Sequence, residues 1–274
     1  MIRRYYYKAE KTEKCMLFRG KRGTKGQVAI FVIIAIIIVA VILIIFAFPR
    51  IKPFFTGQEF TPQTYLRGCI EPSVKEGLDL LAKQGGYANP EGFLVYNDQK
   101  IKYLCYTSQY YDTCVVQDAM IKNRVEQELN KLIEPRAREC AKNLKDEYEK
   151  RGYSVSQSSI SSKTTIEPGK INVEFKMPIL VSKGEESNSY QGFTVSIPSQ
   201  MYDILFISMS IIDYESAYGD SETTLYLQYY PDLKIEKIKL SEGSKVYIVS
   251  NVITKEYFQF ASRSLSWPPG YQLQ

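Results

Sequence analysis

Three hydrophobic patterns follow one another along the chain. Residues 28–48 read VAIFVIIAIIIVAVILIIFAF, 21 positions without a charge or strongly polar group. A helix of that length rises roughly 30 Å, the thickness of a bilayer's hydrocarbon core, and the run lacks the polar stripe of a soluble helix. The reading is a transmembrane helix, ended by Pro49. A four-residue period comes next. Ile70, Val74, Leu78 and Leu81 line one face of a helix expected over residues 65–84 and stopped by Gly85-Gly86. Ile121, Val125, Leu129, Leu132, Cys140 and Leu144 do the same for a helix over 117–151 that Pro135 should kink or split.

After Gly152 the period falls to two. Ile171, Val173, Phe175, Met177, Ile179 and Val181 alternate with polar residues, predicting a half-buried strand; Pro178 makes it an edge strand or bends it. A polar turn over 182–189 leads to a second strand at 190–197, and a strand near 164–167 pairs upstream. A helix over 199–218 follows. Strands at 233–240 and 245–253 are joined by Ser-Glu-Gly-Ser, and a last strand at 257–262 precedes the aromatic tail WPPGY. The expected fold is α+β: an N-terminal transmembrane helix, then a disulfide-linked helical segment and an antiparallel-sheet ectodomain. The expected divisions are a basic cytoplasmic leader at 1–26, the membrane helix at 27–48 and a linker at 49–64. The helical segment at 65–151 and a β-rich segment packed with a helix at 152–274 complete them.

Charge gives the orientation. Residues 1–26 hold nine basic side chains and two acids, a net of +7, leaving 26 basic and 28 acidic groups in the other 248 residues. Only Arg50 and Lys52 lie close behind the apolar run. The positive-inside rule then places the N-terminus in the cytoplasm and the C-terminal domain outside the cell. The slightly acidic bulk argues against a nucleic-acid partner despite a pI near 8.7. A conventional cleaved signal fits poorly, because its apolar region is shorter and a small-x-small site should follow it.

The junction KRGTKGQVAIFVII resembles the class III signal peptides of archaeal type IV pilins and archaellins. That resemblance implies cleavage on the cytoplasmic side between Gly26 and Gln27, leaving the apolar segment attached as an assembly helix. The fifth mature position, commonly Glu in that family, is Phe31 here. No carboxylate is then available there to neutralise a neighbour's α-amino group, so long homopolymers are disfavoured. The plain alternative is a basic flank before an anchor, with Gly26 incidental.

Of the five cysteines, Cys15 falls on the cytoplasmic side and Cys69, Cys105, Cys114 and Cys140 on the outer side. Four thiols in an oxidising space allow three pairings. The spacing of Cys105 and Cys114 suits a local loop staple, and Cys69 with Cys140 would tie the two helices together. These two pairs are preferred over a four-thiolate zinc site, since CxxC spacings are absent.

Several further stretches resemble a family of uncharacterised, single-pass surface proteins from small-genome archaea. They are KGQVAIF, Tyr65-Leu-Arg-Gly-Cys69, Leu81-Ala-Lys-Gln-Gly-Gly-Tyr87, Tyr247-Ile-Val and Phe258-Gln-Phe-Ala-Ser-Arg263 before Trp267-Pro. The resemblance implies the topology and the helix-linking cysteine pair, and it implies no active site.

The chain has no histidine, which excludes Ser-His-Asp and Cys-His nucleophile systems and HExxH zinc sites. Gly85-Gly86 follows a helix instead of preceding one, unlike a phosphate loop. Glu185-Glu186 falls in a solvated turn, and neither EF-hand loops nor an SxxK-type serine enzyme is supported. No N-x-Ser/Thr sequon occurs. Twenty-two tyrosines are a bias. Tyr5-Tyr6-Tyr7, Tyr110-Tyr111 and Tyr229-Tyr230 suit either contact surfaces or half-buried positions. No catalytic, metal or cofactor-binding residue is expected. The leading expectation is a non-enzymatic, membrane-anchored cell-surface protein, pilin-like or pilin-derived, with the membrane and pilin-like subunits or a surface partner as its contacts. The alternatives are a permanently anchored monomeric envelope protein that binds a ligand or partner, and then an extracellular hydrolase.

Overall fold

The computed structural model describes residues 31–40 and 60–268. The chain divides into two units, Met1–Glu59 and Phe60–Gln274. In the first, residues 31–40 are helical and solvent-exposed along their whole length. Among the described residues, no helix is long and apolar enough to cross a membrane. The expected N-terminal transmembrane helix is therefore corrected: the described residues form an α+β fold and include no such helix. Residues 28–30 and 41–48 of the apolar run, and the leader 1–26 with Gly26 and Gln27, lie outside the described residues.

The second unit begins with α1 (Pro62–Lys83), whose N-cap Thr61 accepts a hydrogen bond from the Thr64 amide. Leu66, Ile70, Val74, Leu78 and Leu81 are its buried stripe. The Gly86 amide closes the C-terminus on the Leu81 carbonyl at 2.8 Å. The long α2 (Ile121–Lys150) buries Ile121, Val125, Leu129, Ile133, Ala137, Cys140 and Leu144 against it, and runs through Pro135 as one helix. Cys69 of α1 is joined to Cys140 of α2. The outer face of α2 is laced with pairs such as Arg138–Glu134.

The segment between these helices is not helical. It contains β1 (Phe93–Tyr96), β2 (Gln99–Tyr106) and β3 (Val115–Val116). Asn97 and Asp98, at φ 48° and 60°, make the two-residue β1–β2 turn, a geometry Asn and Asp tolerate well. The strands β8 (Leu233–Lys239), β9 (Ser244–Asn251) and β10 (Tyr257–Arg263) complete a sheet ordered β1-β2-β10-β9-β8. The β2–β10 pair is parallel. The sheet is mixed instead of purely antiparallel, and residues 65–151 supply strands to it.

A second sheet is antiparallel. Its central strand β6 (Lys170–Lys183) pairs with β7 (Glu186–Pro198) on one side and with β4 (Ser154–Gln157) and β5 (Ser161–Glu167) on the other. Pro178 falls where the β6–β7 register shifts, between Lys176 and Ile179. The proline thus bends a central strand at a bulge. The helix α3 (Met201–Tyr218) and the short α4 (Thr224–Tyr229) lie between β7 and β8 in sequence. Both α1 and α3 touch strands of the two sheets, so one continuous apolar core runs through helices and sheets alike.

Candidate functional site

The densest polar chemistry gathers where α3 ends against β9 and β10. Ile204, Ser208, Ile211 and Glu215 share the buried side of α3, so a carboxylate occupies a position the helix otherwise gives to apolar groups. Glu215 is fully buried. Its Oε1 accepts from the Tyr247 hydroxyl at 2.6 Å, the Ser221 amide at 2.8 Å and Lys245 Nζ at 3.0 Å. Its Oε2 accepts from Lys245 Nζ and the Ser262 hydroxyl, each at 2.8 Å. Lys245 Nζ also donates to the Gly219 carbonyl and lies 3.0 Å from Asp220 Oδ1. Burial, followed by the Glu215 charge, pushes the Tyr247 phenol well above its ordinary range. The carboxylate is saturated by five contacts from four donor groups, and the ammonium has a partner for every proton. Neither is free to act as a base or a nucleophile.

Beside this cluster a strap leaves β10. The Ser264 hydroxyl accepts from the Cys114 amide at 2.9 Å and donates to the Glu215 carbonyl at 2.8 Å. Leu265 N donates to Asp112 O, and Tyr111 N to Ser266 O. Residues 105–114 are closed into a loop by the Cys105–Cys114 disulfide, so the strap is stitched to a covalent ring. Leu265 and Tyr111 both adopt positive φ, at 46° and 62°. Two glycines admit the strap: a Cβ on Gly219 would meet the Leu265 side chain, and one on Gly243 the Ser266 side chain. Trp267 crosses Tyr111 edge-on, with ring centroids 5.0 Å apart, and each is about half exposed. The Arg263 guanidinium lies over Tyr110 at 5.3 Å.

Between the strap, the α3 C-terminus and the β8–β9 turn lies a cleft of about 400 Å³, lined by Asp220, Lys239, Leu240, Lys245, Ser266 and Trp267 among others. Asp220 Oδ1 meets Lys237 at 2.5 Å and its Oδ2 meets Lys239 at 3.2 Å. Against the penalty of partial burial, Lys237 and Lys245 hold the Asp220 carboxyl down at about 2. A second groove, of about 330 Å³, lies where Val74, Leu78 and Asp79 of α1 face Tyr257. Its carboxylates are engaged. Glu256 accepts from the Ser199 hydroxyl and the Gln200 amide, both at 2.6 Å, and the Tyr257 hydroxyl donates to Asp79 at 3.3 Å.

Cys69, Cys140, Cys105 and Cys114 are thus placed in two disulfides, one across the helices and one beside the cleft. Tyr110 and Tyr111 are exposed, Tyr111 against the cleft-lining Trp267, while Tyr229 and Tyr230 are exposed at the end of α4. Glu215, Asp220, Lys239 and Lys245 escaped sequence reasoning. The one available signal was a Glu at an apolar-face position of α3. Among the described residues, no group of three or more His, Cys, Asp or Glu is arranged to hold a metal ion. Comparison with protein families, characterised proteins and solved structures finds no match for this chain.

Proposed function

We propose that the chain is a non-enzymatic cell-surface protein, pilin-like or pilin-derived, that presents residues 60–274 outside the cytoplasm for assembly or attachment. Its apolar N-terminal segment, residues 28–48, precedes that domain in sequence. The observation that carries this reading is the pair of disulfides, which engages every cysteine beyond that segment. Such bridges form and persist in oxidising compartments. The saturation of Glu215 and Lys245 supports a structural role for the most strongly buried charges, and the exposed Tyr110, Tyr111 and Trp267 offer large amphipathic contact area. The basic leader ending in Lys25-Gly26-Gln27 supports removal of residues 1–26, with Phe31 favouring a minor-subunit or stand-alone role over a homopolymer. Mass spectrometry of the membrane-extracted protein tests processing. A mature terminus at Gln27 is expected, and one at Met1 or Ile2 refutes it. The second reading, an anchored monomer that binds a ligand, is favoured by the cleft beside Asp220.

A further inference from the structure

We infer that the cleft between Asp220, Lys239 and Trp267 is a binding site for a neutral sugar ring, of the kind a surface glycan presents. This deepens the attachment reading and rests on it for its biological sense. The site itself follows from which hydrogen-bonding groups remain unspent.

Lys239 Nζ has three protons and one partner, Asp220 Oδ2 at 3.2 Å, so two donors remain. Asp220 Oδ1 is taken up by Lys237 and Lys245, while Oδ2 keeps a lone pair. The Ser266 hydroxyl, nearly fully buried in the cleft wall, makes one long bond of 3.4 Å to the Gln109 carbonyl and keeps its acceptor capacity. A donor and an acceptor therefore stand side by side, as the neighbouring hydroxyls of a sugar ring require. Apolar groups share the lining with Ser244, Ser264 and Lys245. Leu240, Leu265 and the half-exposed Trp267 indole face the same space, which suits the C–H face of a pyranose.

Charge selects against the alternatives. Lys237, Lys239 and Lys245 all contact Asp220, and Lys245 is also neutralised by Glu215. An anion would meet the Asp220 carboxylate, and a cation would meet the Lys239 and Lys245 ammonium groups that line the cleft. A neutral polyol meets neither penalty. The surroundings are also rigid: the strap carrying Ser266 and Trp267 is bonded to the loop that Cys105–Cys114 closes, so little ordering is needed on binding.

Trp267 is the chain's one tryptophan, so its emission reports this cleft alone. The experiment uses the full chain in detergent micelles, titrated with methyl glucoside, methyl mannoside, methyl galactoside and N-acetylglucosamine. At least one should give a saturable change in emission, with a half-point of about 1 mM, typical of a weak single-ring contact. Lys239→Met, at an exposed side chain paired with Asp220, should weaken that binding about tenfold. Far-ultraviolet circular dichroism should show its fold unchanged. Saturation-transfer NMR on the sugar gives a readout independent of the indole. No saturable response from any of the four sugars up to about 50 mM overturns the inference. So does competition of the sugar by equimolar inorganic phosphate, which would make this an anion site, or an unaltered affinity in Lys239→Met. Because purified protein is used, these failures are distinct from a failure of surface display.

Discussion

Lys245 Nζ lies 2.8 Å from Glu215 Oε2, joining two side chains thirty residues apart that are 7% and 0% exposed. The pair fastens the last turn of α3 to β9, and through Ser262 and Ser264 it reaches β10 and the strap. A buried ion pair contributes little over an apolar equivalent, yet breaking it by removing one partner is costly. Its weight here is positional: it fixes where α3 stops and the cleft begins.

Removing either partner should therefore destabilise unequally. Lys245→Met leaves a fully buried carboxylate with neutral donors only, and should cost about 3–5 kcal/mol. Glu215→Gln should cost less, since Asp220 and the Gly219 carbonyl still receive the ammonium. Urea unfolding monitored by circular dichroism measures both. Equal losses would show that Asp220 does not share the charge.

What was legible in the sequence was periodic. The stripes of α1 and α2 and the alternation of β6 each report one buried face, and that pattern is local. β2 failed that test because buried Ile101, Leu104 and Cys105 do not alternate, and its parallel partner β10 lies more than 150 residues away. Pro178 read as an edge or a bend; the bulge on β6 settles it as a bend. The apolar run reads as a spanning helix from its length, whereas among the described residues no helix is long and apolar enough to cross a membrane. The cleft was illegible for another reason. Asp220, Lys239 and Ser266 belong to three separate turns and strand ends, and only the fold brings them together.

The disulfides should rank by loop length. On the chain-entropy model the 71-residue Cys69–Cys140 separation is worth about 4 kcal/mol, and the nine-residue Cys105–Cys114 separation about 2.5 kcal/mol. Paired Cys→Ala variants, compared by thermal unfolding, should show the larger loss for Cys69 and Cys140. The reverse order would mean that the Cys105–Cys114 ring supports the strap enthalpically.

Gly219→Ala should disturb the cleft without touching its polar groups. Gly219 sits at φ 85° and a Cβ there would enter the Leu265 side chain. Left-handed strain and overpacking together should cost about 3 kcal/mol. A shift in Trp267 emission should accompany the loss. Unchanged emission would show that the strap does not rest on Gly219.

Acid should weaken the fold through Asp220. Its folded-state value of about 2 lies below the ordinary 3.8, so its contribution is present above about pH 4 and fades as pH falls through about 2. With the side chain 45% exposed, solvent screening limits this to about 1 kcal/mol. Asp220→Asn should flatten the acid limb of a stability–pH curve. At the other extreme, Tyr87 and Tyr257 are pushed up to about 12, chiefly by burial and then by Asp118 and Asp79 respectively. Their contribution is present below about pH 10 and lost through about 12. A spectrophotometric tyrosine titration should show these phenols ionising after the exposed ones.

Immunogold electron microscopy of intact cells producing the chain, with antibody raised against residues 60–274, tests the central claim most directly. Surface display predicts gold at the cell boundary without permeabilisation, as a coat or as a sparse component of mixed filaments. Label that appears only after permeabilisation would contradict it.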